Sequence, residues 1–290
     1  MRAYRPRPAY AQAVLRIIDV RTGEPVEAAP ARRGLTRVQA HASGLDATAL
    51  RVLLVSDLLV RALELGGTPV WSLLTGDRQQ AELRAAAGAL GIRPFEDGTD
   101  LGSGLGEAQV LHVMAGGAET AGGGPVSEAT GGGPVSETTG GAQVSETTEV
   151  TPASETTGRA VVAVAPVESP TAAAPDLSDP GALRLALLSQ PRDLPVRLDA
   201  EALDEARRTL AHWRGAVADW ARRPSRPVPD EVRVELRTAW EDDLNVPEVL
   251  RVLHRVETWP DLPDGARFET YAYADRLLGL ELTRDIGSLA

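Results

Sequence analysis

The sequence predicts an α/β fold: a mainly parallel-sheet domain, a flexible repeat linker and an all-α helical bundle. Three observations carry that reading. Short apolar runs alternate with helix-period segments before residue 116, which implies βαβ units and a parallel sheet. Four successive nonapeptides, GGGPVSEAT (122–130), GGGPVSETT (131–139), GGAQVSETT (140–148) and EVTPASETT (149–157), then interrupt the pattern. After residue 177 every apolar stripe repeats at three- and four-residue spacing, as in a bundle of helices.

The elements follow in order. AVLRIIDV (13–20) and LTRVQAHA (35–42) read as strands. A helix runs from Asp46, a suitable N-cap, to Leu65, with Leu50, Leu53, Leu54, Leu58 and Ala62 as one stripe and Gly66-Gly67 ending it. TPVWSLLT (68–75) is a strand, Asp77 to Leu90 a helix stopped by Gly91, and AQVLHVMA (108–115) a strand. Together these define a Rossmann-like domain over residues 1–115. The nonapeptides hold at most one Val each and lack the Asp of calcium-binding rolls, so residues 116–176 read as a disordered linker. A partner-binding or modified Ser/Thr tract is the alternative there. Residues 177–290 are the bundle, with helices at 179–189, 199–221, 229–243, 247–257 and 266–280. Trp213 and Trp220 sit on the core stripe of the second of these.

Composition excludes several chemistries. The chain has 290 residues, no Cys and no Lys; its 30 basic residues are all Arg. It therefore has no Walker-type phosphate lysine, Schiff-base lysine, thiol nucleophile or thiolate metal site. The net charge of -11 divides unevenly: +1 over 1–115, -8 over 116–181 and -4 over 182–290. The acidity belongs mainly to the linker, and no dominant nucleic-acid footprint appears. No apolar run approaches the ~18 residues of a membrane span, so no membrane role is expected and cytoplasm is the default location.

Candidate chemistry is sparse. His41 and His112 lie near strand ends, where parallel sheets place ligand crevices. His212 and His254 lie on amphipathic helices and read as surface or boundary residues. GSGLG (102–106) precedes a strand instead of joining strand to helix, so it reads as a turn and not a phosphate loop. Glu241-Asp242-Asp243 reads as a solvated or capping segment, and Arg222, Arg223 and Arg226 as a surface patch.

The helical half resembles the cysteinyl-tRNA synthetases and their cysteine-ligase relatives. The resemblance rests on DPGALRLALLSQ (179–190), LDAEALDEARRTLAHWR (198–214), EDDLNVPEVLRVLHRVE (241–257) and LPDGARFETYAYADRLLGLEL (262–282), in order and suitably spaced. LRIIDVRTGEPVE (15–27), LRVLLVSDLLVRALELGGTPV (50–70) and LGIRP (90–94) extend it more weakly to the first half. It implies a scaffold for ATP-dependent ligation of cysteine, with zinc holding the thiol. The motifs for that chemistry are replaced. The family's HIGH falls on Asp46, Ala47, Thr48 and Ala49, its first zinc-binding Cys near His41, and its Thr-Asp-Val-Asp segment on Thr75-Gly76-Asp77-Arg78. The KMSKS loop would precede Asp179, where no Lys exists.

The resemblance thus implies a vestigial nucleotide or amino-acid pocket at His41, Gly44, Asp46, Thr48, Thr75, Asp77 and His112, with no catalytic residue, no metal ligand set and no ATP or zinc expected. The reading is a non-catalytic paralogue. The alternatives are a ligase with remodelled motifs, or a binding module for a tRNA or protein partner.

Overall fold

A computed structural model describes residues 14–30, 34–98, 107–116, 159–170 and 174–287. A hairpin opens the described chain: β1 (Arg16–Asp19) pairs antiparallel with β2 (Glu24–Glu27). Then follow β3 (Leu35–His41), α1 (Ala47–Leu65), β4 (Val70–Thr75), α2 (Gln80–Ala89), β5 (Glu96–Asp97), β6 (Glu107–Ala115) and β7 (Arg159–Val164). These strands form a five-stranded sheet in the order β5-β4-β3-β6-β7, and every pairing is parallel. The chain runs outward from β3 through β4 to β5, then returns to build β6 and β7 on the other flank of β3. The boundary between β3 and β6 is therefore the topological switch point, where the carboxyl ends of strands open a crevice.

Alternation along β3 assigns the two faces. Thr36, Val38 and Ala40 are buried, whereas Arg37, Gln39 and His41 are half-buried on the opposite face. α1 lies beside β3, β4 and β6. It is buried at every residue from Ala49 to Val60, as expected for a helix enclosed on all sides. It also packs against α2 and, through α7 (Asp264–Leu278), against the bundle.

The bundle consists of α3 (Pro180–Leu187), α4 (Ala200–Trp220), α5 (Asp230–Glu241), α6 (Val246–Thr258) and α7. Side-chain caps start three of these helices. Asp179, Asp199 and Asn245 accept from the backbone N–H groups of Ala182, Ala202 and Glu248 at 3.0, 2.9 and 3.2 Å. Trp213 is buried; its ring meets Tyr271 edge-on at 5.8 Å, and Trp220 meets the same ring at 5.1 Å. The buried apolar residues of sheet and bundle make one contiguous core. Among the described residues, no helix is long and apolar enough to cross a membrane.

Two readings are corrected. The stretch expected as linker over 116–176 contains β7 and the short β8 (Val167–Glu168), which pairs with β9 (Val196–Arg197). RAVVAV is an apolar, β-branched run that pairs with β6 and buries Val162 and Val164; its Gly-, Thr- and Pro-rich flanks mask it in composition. Val20 N–H donates to Val161 O at 2.9 Å, so the first hairpin hangs on this strand. The nonapeptides at 122–157 and the GSGLG segment lie outside the described residues.

The second correction is Asp243. Instead of being solvated, its carboxylate accepts from Arg192 at 2.6 Å and from Ile18 N–H at 2.9 Å, while Arg192 also donates to Ala163 O and Ile18 O. This turn ties the hairpin, β7 and the bundle together.

Candidate functional site at the sheet switch point

His41 ends β3, and His112 lies on β6, the neighbouring strand across the switch point. Register pairs His112 with Gln39 and His41 with Met114, so all four residues share the half-buried face. His41 Nε2 and His112 Nδ1 approach to 2.8 Å, and the rings stack with centroids 5.1 Å apart. Such a bond needs one nitrogen to donate and the other to accept. Burial pushes the His41 imidazole below its ordinary pKa, which favours the neutral ring. Beside the pair, Gln39 Nε2 donates to Thr75 Oγ1 at 2.9 Å, linking the ends of β3 and β4.

The loops above these strands are stitched to one another. Ala42 N–H donates to Thr75 O, and Gly44 N–H donates to Arg78 O at 3.0 Å. Leu45 N–H donates to Gln79 Oε1, and the Ser43 hydroxyl donates to Asp77. That hydroxyl bond holds the exposed Asp77 carboxyl below its usual value. Two glycines permit the stitch. Gly44 takes a φ of +84°, and a Cβ on Gly76 would stand 2.0 Å from Ala42 O.

Asp46 and Thr48 serve the backbone. Asp46 has extended backbone angles, and its carboxylate accepts from Ala49 N–H at 2.7 Å, capping α1. Thr48 Oγ1 accepts from Val167 N–H at 3.0 Å and anchors β8. The expected pocket residues therefore separate into three groups. His41, His112 and Thr75 stand on β3, β6 and β4, Gly44 and Asp77 belong to the loops that follow β3 and β4, and Asp46 and Thr48 bond backbone at the start of α1. Gln39 and Met114 were missed, although two-residue alternation from His41 and His112 places them on the same face.

At the positions where the resemblance would place phosphate and zinc, the described residues are Asp46, Ala47, Thr48 and Ala49, and His41. A helix start receives phosphate through free N–H groups and positive potential. Here a carboxylate already occupies the first turn of α1 and brings negative charge. Zinc in protein sites takes about four ligands. Among the described residues no group of three His, Cys, Asp or Glu could hold a metal.

The parallel sheet, its switch point between β3 and β6 and the attached bundle define a Rossmann-like α/β protein. Comparison with known proteins sharpens this to a relation with cysteine ligases. The chain is 36% identical over 112 residues to an L-cysteine:1D-myo-inositol 2-amino-2-deoxy-alpha-D-glucopyranoside ligase of Streptosporangium roseum. It is also 36% identical over 111 residues to the protein of that name in Streptomyces griseus. Each match covers 36% of this chain but only 26% and 25% of the respective relative. No protein-family model matches the chain.

Proposed function

We propose that this chain is a non-catalytic relative of ATP-dependent cysteine ligases, one that keeps the sheet, the crevice and the bundle without the adenylating groups. The observation that carries this reading is the Asp46 cap, whose carboxylate engages Ala49 N–H at the helix start beside the crevice. Adenylation moves negative charge onto phosphate oxygens in the transition state. Donors and cations aimed at those oxygens supply much of the catalysis. At this helix start the Asp46 carboxylate instead takes up a backbone N–H, and the chain has no Lys side chain to offset its charge. The relation to cysteine ligases and the absence of Cys and Lys from the sequence support the same reading.

The test is cysteine-dependent ATP–pyrophosphate exchange with purified full-length protein, together with calorimetric titration of ATP. Exchange is expected at the level of the protein-free control, with no heat of binding at millimolar nucleotide. Robust exchange that His41→Ala or Asp46→Ala removes would overturn the proposal.

A further inference from the structure

We propose that His41, His112 and Met114 form a three-ligand site for a soft copper(I) ion in the crevice between β3 and β6. The argument starts from placement. His41 and Met114 are register partners on adjacent strands, and His112 lies two residues before Met114 on the same face. All three side chains are half-buried, so they are sheltered yet reachable.

The two imidazole nitrogens already converge to 2.8 Å. A metal–nitrogen bond is about 2 Å long, so two nitrogens on one ion stand somewhat over ~3 Å apart. The pair has to open only slightly to admit an ion.

Ligand type selects the ion. Two imidazoles are too few for a closed zinc shell, the thioether is too soft to complete one, and no carboxylate joins them among the described residues. Thioether sulfur favours copper(I), and imidazole accepts it readily. The chain contains no Cys and only two Met, so Met114 is one of its two sulfur atoms. Copper(I) bound by this protein has few other soft donors to choose from. The site is independent of the adenylation reading, since it uses neither ATP nor the start of α1.

Anaerobic competition for copper(I) between the full chain and a chromogenic chelator tests the proposal. One ion per chain is expected. His41→Gln, His112→Asn and Met114→Leu are each expected to weaken binding by at least ~10-fold, in the range that disturbed metal sites show. The His212→Asn and His254→Asn variants should bind as the parent does. If either imidazole variant misfolds by circular dichroism, the near-isosteric Met114→Leu decides the matter. X-ray absorption of the loaded protein is expected to show sulfur and nitrogen neighbours. Failure to compete with the chelator, affinity unchanged by Met114→Leu, or a copper spectrum without sulfur overturns the proposal and leaves His41 and His112 as a hydrogen-bonded pair only.

Discussion

Asp57 stands in the middle of α1 with its side chain 1% exposed, and three arginines converge on it. Arg61 donates to Oδ2 at 2.8 Å, Arg93 to Oδ1 at 3.1 Å and Arg184 of the bundle to Oδ2 at 3.1 Å. Arg184 is equally buried and spends its remaining donors on Leu278 O and Leu90 O. A buried pair of this kind gives little net stability over an apolar replacement, but removing one partner strands the other. Asp57→Ala and Arg184→Met are each expected to destabilise the protein by about 3–5 kcal/mol, and the double variant by clearly less than the sum. Urea unfolding checks this, and additive losses would show that the two side chains act separately. Burial works against the Asp57 carboxylate, yet Arg184 and Arg61 hold it below its ordinary pKa of 3.8. The unfolded chain therefore takes up this proton more readily than the folded one. The contribution is complete above that unfolded value and is lost as pH falls through the lower folded one. The stability difference between the parent and Asp57→Asn should be flat above pH ~5 and shrink below ~4. Burial lifts Asp243 and Asp275 instead, so their ionisation opposes folding and its relief in acid runs in the contrary direction.

At the scale of elements, α1 shows both what the sequence discloses and what it withholds. Its start at Asp46, its apolar stripe and its glycine stop are local signals, and the helix forms between them. Replacing the cap by Ala should cost about 1 kcal/mol, whereas Asp46→Asn should be nearly neutral because its side-chain oxygen still accepts the bond. Thermal unfolding of the two variants separates capping from charge. What the sequence withholds is the meaning of the polar positions inside the helix. Arg51 donates to the carbonyls of Ala165, Leu194, Gln190 and Pro191, and burial drives its pKa down to about 10. Those partners lie more than a hundred positions away, and no periodicity reports them. The candidate site divides in the same manner. His41 and His112 were legible because each lies in a strand-like run, but their contact depends on the order β3-β6, which strand patterns do not specify. β7 was illegible for a third reason: six strand residues carry little weight beside repetitive flanks, and only pairing with β6 makes them a strand.

The whole molecule is held together by connections that cross the sheet, and the longest of them joins β6 to β7 through residues 116–158. Parallel neighbours need a crossover, because the chain must return the length of a strand before it can run beside its partner; about a dozen or more residues are required. β7 also carries the hairpin through Val20 N–H and Val161 O, and it supplies Ala163 O to Arg192. The sheet edge, the hairpin and the Arg192–Asp243 turn consequently depend on one strand reaching its place. This gives the repeats a minimum length without assigning them a ligand. Deleting residues 131–148 leaves 116–130 and 149–158, enough chain to cross, and should leave the melting temperature within about 2 °C because loop length alters closure entropy only slowly. Deleting 122–157 leaves only 116–121 and 158, too short a crossover to bring β7 beside β6 in parallel. That variant is expected to lose cooperative unfolding or to melt far lower, and to lose amide protection across Arg159–Val164 and the β1–β2 hairpin together. Hydrogen exchange separates the possibilities. Protection retained in both segments after the long deletion would mean that β7 does not need its connection to dock. Protection lost after the short deletion would mean that the repeats contribute contacts as well as length.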